Sequence, residues 1–258
     1  CMLQWLTERR RKRLLETPFP AAWTQILERN VSAYKLLDDD ERKRLRDLVQ
    51  VFIAEKHWEG AGGLELTDEI EVTIAGTGCQ LVLGRSHDLF AEVESIVVYP
   101  SSVVIPPQAR SMFDPGARPE AGETPVLGVA HRGGAVVLAW DSALSGARDP
   151  RDGRNVVIHE LAHKIDFLDG SADGTPPLSS GSARRAWIAA FAPAYLAHRE
   201  RAERGQASFL DDYAVTNEAE YFAVATEAFF EKPRALAREL PDVYAALRQF
   251  YSLDLAAR

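Results

Sequence analysis

Apolar and polar positions recur along this chain with two periods, and the change between them divides it. From Met2 to about Gly60 the apolar residues return every three or four positions, the period of helices that bury one face. The pattern predicts helices from Leu3 to Leu15, from Ala21 to Glu28 after Pro20, and from near Asp39 to Trp58. In the last of these Leu45, Leu48, Val49, Phe52 and Ile53 form a core-facing stripe. From Leu66 to Leu83 the residues favour strands around a Gly76-Thr77-Gly78 interruption, and helix and strand both fit. Ser95 to Tyr99 reads as a strand stopped by Pro100. Val126 to Ala130 and Ala135 to Trp140 read as a hairpin closed through His131-Arg132-Gly133-Gly134. Pro106 to Pro125 and Asp169 to Ser182 have the composition of exposed loops. Helical spacing then returns from Ala183 to Glu203, Glu218 to Glu231 and Pro241 to Tyr251, with no internal repeat. This order predicts an α+β fold, mainly helical, with a small mixed sheet preceding a buried helix. Residues 1–60 form a helical region packed on a compact unit of residues 61–258.

That buried helix carries the chemistry. Asn155 can cap its start, Gly170 supplies a stop, and Val156, Val157, Ile158, Leu161, Ala162, Ile165 and Leu168 make most of its surface apolar. Within it lies His159-Glu160-Leu161-Ala162-His163. Residues four apart on a helix stand above one another, so both imidazoles can reach one metal ion while Glu160 sits beside it. Polar groups on a helix this apolar must have partners, and a zinc ion supplies them.

A hydrolytic zinc site needs a third protein ligand and an open position for water. Asp166, Glu218, Glu220, Glu227 and His198 are the candidates. Asp166, three residues after His163, is better placed to orient an imidazole N–H than to bind the same ion; a surface role fits it equally. His198, among Arg199, Glu200 and Arg201, reads as exposed. Asn217 to Phe230 is apolar nearly all round, and Glu220 and Glu227 stand two turns apart on one of its faces. A buried carboxylate is costly unless paired or metal-bound, so Glu220 is the expected third ligand; the competing reading is a capping arrangement with Asn217. Glu227 is then an acceptor for a histidine N–H or an ion-paired glutamate.

Composition narrows the class. The chain has 258 residues, 46% of them apolar and 26% charged, an ordinary globular balance. No run approaches the roughly 18 apolar residues of a membrane span. A net charge of −8 disfavours direct nucleic-acid binding, and the basic cluster Arg9 to Arg13 reads as a solvated helix face. The N-terminal stretch lacks the apolar run of a secretory signal, which predicts a cytoplasmic location. With two cysteines, one preceding Met2 and the other Cys79, there is neither a disulfide framework nor a thiolate zinc site.

Asn155 to Asp166, followed by Asp212-Tyr213-Ala214 and the Glu220-Tyr221-Phe222-Ala223 helix, is similar to the MtfA (Mlc titration factor A) family of zinc-dependent bacterial peptidases. Their catalytic core is similar to that of anthrax lethal factor. The resemblance extends over most of the chain, including the Trp23 region and Gln249-Phe250-Tyr251. It implies a zincin-like fold, aminopeptidase-type activity on peptide substrates and, in enteric bacteria, binding to the Mlc repressor. Carried over by position, it implies His159, His163 and Glu220 as ligands of one Zn2+, Glu160 as catalytic carboxylate and Tyr213 as a transition-state helper. On the residues alone Tyr213 reads as a half-buried tyrosine in a turn. The competing function is a binding protein that sequesters a transcriptional regulator, with the metal site secondary.

Overall fold

The computed structural model describes residues 2–101, 128–130 and 134–258, with side chains described for 5–101 and 134–258. Helix α1 (Met2–Leu15) lies on α3 (Asp39–Glu55), and α2 (Ala21–Asn30) packs on the central helix α4 (Asp68–Gly78). A capping box between Asp38 and Glu41 starts α3. Strand β1 (His57–Gly60) follows, then β2 (Ser95–Tyr99), β3 (Gly128–Ala130) and β4 (Ala135–Ala139). The sheet order is β1-β2-β4-β3, with β1, β2 and β4 parallel and β3 antiparallel to β4. Helices α5 (Trp140–Arg148), α6 (Val156–Asp166), α7 (Gly181–Glu203), α8 (Glu218–Glu231), α9 (Pro233–Glu239) and α10 (Pro241–Tyr251) complete the chain. The fold is α+β and mainly helical, with the small sheet ahead of α6.

Three expectations change. The third helix stops at Glu55 rather than Trp58, because the His57 N–H bonds the Glu94 carbonyl at 3.0 Å and the next residues pair with β2. Trp140 opens α5 instead of ending a strand, and α9 was not foreseen. The ambiguous stretch around Gly76-Thr77-Gly78 is helical, and its glycines serve packing. A Cβ on Gly76 would lie 2.4 Å from a Leu27 methyl, and one on Gly78 2.3 Å from a Leu161 methyl. These glycines let α4 lie close against α2 and α6. The predicted loop Pro106 to Pro125 and the closing residues 131–133 of the hairpin lie outside the described residues, as do 126 and 127; β3 and β4 pair as the hairpin required.

The basic cluster is largely solvated, with Arg11 half-buried. Arg11 donates to Glu55 at 2.9 Å and to Asp88 at 2.9 Å, and Arg10 donates to Glu55 at 3.1 Å, which fastens α1 to the core. Burial pushes the Glu55 carboxyl up, but the two guanidiniums outweigh it and hold it at about 2. His87 beside them is buried against Phe52 and Phe90, and burial, aided by Arg11 and Lys56, lowers its imidazole to about 4. The ordinary value is 6.5, so the unfolded chain takes up this proton first on acidification. The stability tied to neutral His87 is therefore complete above 6.5 and lost as pH falls toward 4. In chelator, urea denaturation from pH 7.5 down to about 4 is expected to show a shallower loss of stability for His87→Leu than for the parent. Equal slopes would remove His87 from the acid response.

Candidate metal centre

Two helices build the site. Asn155 caps α6 by accepting the Ile158 N–H at 3.2 Å, and Val157, Ile158, Leu161, Ala162 and Ile165 are buried. This leaves His159 and His163 side by side, their rings 4.8 Å apart between centroids. Helix α8 packs across α6, its start capped by Asn217, which accepts the Glu220 N–H at 2.9 Å. The cap is real, yet the Glu220 carboxylate does not return to it. Its Oε2 lies 3.0 Å from His159 Nε2 and 3.2 Å from His163 Nε2, and the two nitrogens are 3.1 Å apart.

These spacings test the site for a metal. Ligands at about 2.0–2.1 Å from a tetrahedral zinc stand roughly 3.3–3.4 Å from one another. The triangle matches that nearly as it stands. Its electrostatics agree: the pocket favours positive charge where the three atoms converge. Burial pushes the Glu220 carboxyl up, but the two imidazoles outweigh it and bring it below the carboxylate range. Burial pushes His159 down, and Glu220 and Glu227 reverse the shift and raise it. Among the described residues, His159, His163 and Glu220 are the only group of three or more such side chains spaced to hold an ion.

Around the triangle, Glu160 is 4% exposed, on α6 between the histidine face and the core. Tyr213 lies in a 3-10 turn (Asp212–Val215) placed by Asp211, whose carboxylate accepts the Tyr213 N–H at 2.8 Å and pairs with Arg154. Its half-exposed ring is 6.0 Å from that of His159. Burial, then Glu220 and Glu160, pushes its hydroxyl up to about 12, so it remains a donor at neutral pH. Glu227 Oε1 lies 2.8 Å from His159 Nδ1, a contact that an acceptor for the ring N–H and an ion-paired glutamate both make.

Two sequence readings are corrected. His198 is not exposed: it is 5% accessible, with Nδ1 2.6 Å from Ser208 Oγ and Nε2 3.2 Å from the Asp211 carbonyl. Trp187, Phe191 and Tyr195 precede it at helical spacing on the buried face of α7, a stripe its charged neighbours mask. Asp166 is not surface either. It is wholly buried, burial raises its carboxyl to about 6, and it accepts the Gly174 N–H at 2.9 Å. Gly174, at φ +73, lies so close under α8 that a Cβ would stand 2.4 Å from the Glu218 carbonyl oxygen. Asp166 thus supports the loop beneath the turn that carries Glu220, while Glu218 itself is exposed. Sequence reasoning missed Arg154, Asp211 and Glu231; only Glu231, one turn beyond Glu227, carried a periodic signal.

Comparison with known proteins gives this arrangement its class, that of the metallopeptidases. The chain belongs to the family described as glucose-regulated metallo-peptidase M90, whose sequence model it matches over residues 5–252. It is 32% identical over 252 residues to an uncharacterized protein of Synechocystis, a match covering 97% of this chain and 90% of that one. It is also 31% identical over 231 residues to the Mlc titration factor A of Serratia proteamaculans, covering 86% of this chain and 84% of the relative. The Mlc titration factor A of Edwardsiella ictaluri is 32% identical over 223 residues, covering 84% and 82%. Membership of the MtfA family, expected from the motifs, stands on these matches. No helix among the described residues is long and apolar enough to cross a membrane.

Proposed function

We propose that the chain is a cytoplasmic zinc peptidase of aminopeptidase type, in which His159, His163 and Glu220 hold one zinc ion. The observation that carries this is the triangle of ligand atoms 3.0–3.2 Å apart between α6 and α8. Bound there, zinc supplies Lewis acidity, polarising a carbonyl and making water acidic near neutral pH. Glu160 takes the proton from the attacking water and passes it to the leaving amine. Tyr213, kept protonated, donates a hydrogen bond to the oxygen on which negative charge develops. Among the described residues strand β3 is the last of the sheet and packs against α6, so an extended peptide adding beside it would lie near the helix that carries the histidines. Residues 1–60 act as a support for the catalytic unit of residues 61–258. The aminopeptidase preference rests on the family resemblance.

The relatives named for Mlc titration favour a second reading, in which the chain binds a transcriptional repressor of the Mlc type. The two are compatible and separable. A binding role survives replacement of Glu160, whereas hydrolysis does not.

Elemental analysis of the parent and of Glu220→Ala, with hydrolysis of aminoacyl p-nitroanilides, tests the main reading. One zinc per chain is expected in the parent. In the variant zinc binding is lost or greatly weakened, and hydrolysis goes with it. A variant that keeps a full zinc equivalent at parental affinity would refute the ligand set.

A further inference from the structure

We propose that Glu227 is a positioning residue for the metal centre, gripping at once the ring of His159 and the residue that caps His159's own helix. The inference rests on the zinc reading above and assigns a role to a residue outside the ligand set.

Helix α8 places three carboxylates toward α6: Glu220 at its first turn, Glu227 two turns later and Glu231 one turn beyond that. The last two converge on Asn155. The Asn155 backbone N–H donates to Glu227 Oε2, and its side-chain Nδ2 donates to Glu231 Oε1 at 3.0 Å. The remaining polar atoms of Asn155 serve α6, Oδ1 accepting from Ile158 N at 3.2 Å and the carbonyl from His159 N at 2.9 Å. Every hydrogen-bonding group of this 3% exposed residue is thus committed, two to α8 and two to α6. The other oxygen of Glu227 reaches His159 Nδ1 at 2.8 Å. One side chain therefore fixes both where the helix begins and which way the ring on its first full turn faces.

The chemistry requires such a group. An imidazole ligates through one nitrogen only if the other carries the proton, and a carboxylate at Nδ1 holds the proton there. That leaves the Nε2 lone pair for the centre, 3.0 Å from Glu220 and 3.1 Å from His163 Nε2. Packing alone does not account for Glu227. It is 6% exposed in a helix whose other buried residues are Ala, Val, Phe, Tyr and one Thr, and a buried carboxylate is poor material for stability. Glu231 fits the same design. Burial raises its carboxyl to about 8 against the opposing hydrogen bond from Asn155, and Glu227 adds to the rise, so its part is to hold the Asn155 side chain beside Glu227.

The test uses Glu227→Gln, which keeps shape and volume. Zinc affinity is measured by competition with a chromophoric chelator, and the melting midpoint of the chelated protein is recorded alongside. In the cobalt-substituted protein the exchangeable ring N–H resonance of His159 is followed by NMR. The variant is expected to bind zinc 10- to 100-fold more weakly, with little change in the chelated midpoint. Its His159 N–H resonance is expected to shift and to exchange faster with solvent. Zinc affinity and a His159 resonance both like the parent's would overturn the role, leaving Glu227 as packing. A parent that binds neither zinc nor cobalt would instead bring down the metal reading, and this inference with it.

Discussion

Replacing Glu160 by Gln is expected to leave zinc bound and to lower peptide hydrolysis by roughly 10²–10⁴-fold, about 3–5 kcal/mol of barrier. The reasoning runs through position. Glu160 follows His159 on α6, about 100° round the helix, so it stands beside the triangle formed by His159, His163 and Glu220 and is not one of its corners. The amide fills the same 4% exposed space and leaves the three ligand atoms untouched, but it cannot take a proton from water or return one to a leaving amine. Zinc content and the hydrolysis of aminoacyl p-nitroanilides, measured together, separate the two effects. Parental turnover in the zinc-loaded variant would remove Glu160 from the proton path; loss of zinc would make its part structural. Capture of a repressor by the inactive variant would show that the binding reading stands independently.

The features legible in the sequence were those written locally. The cap, apolar face and stop of α6 lie within sixteen consecutive residues, 155–170, so periodicity finds the helix and its histidine pair without reference to the rest of the chain. Glu220 was found by a different argument, the cost of a carboxylate on an otherwise apolar helix, and the structure brings it to the histidines. What escaped depends on distant partners. Strand β1 is a strand because Ser95–Val98 lie beside it, a pairing the helical pattern running into Trp58 does not encode. The glycines of α4 looked like a break because their neighbours, Leu27 and Leu161, come from other helices. His198 was hidden by flanking charges, and Asp166 by the distance in space between a helix end and the loop it holds. Arg154 and Asp211 are 57 positions apart, and nothing in either neighbourhood announces their pairing.

Phe222→Ala is expected to cost about 3–5 kcal/mol, a large share of the roughly 5–15 kcal/mol that holds a domain folded. Phe222 is wholly buried on α8, two residues after Glu220, its ring 5.7 Å from Trp187 and 6.4 Å from Phe191 between centroids. Those two rings are stacked 4.1 Å apart on α7, so Phe222 is the wedge that seats α8 against α7. The surroundings are close-packed helices, which collapse poorly into a void, so the cavity cost adds to the lost burial. The effect also reaches the site by an identifiable route. Trp187 donates to the Gly174 carbonyl at 3.0 Å, and Gly174 supports the first turn of α8 from below. Loosening Trp187 therefore frees the loop that holds Glu220 in place, and zinc affinity should fall along with stability. Urea denaturation in chelator isolates the packing term, because bound metal would otherwise stabilise the parent by mass action. Ile188→Ala provides the control: Ile188 follows Trp187 on the same helix but is 47% exposed, and its change should stay within about 0.5 kcal/mol. If both variants lose the same small amount, Phe222 is no wedge, and the placement of Glu220 must come from α6 and α8 alone.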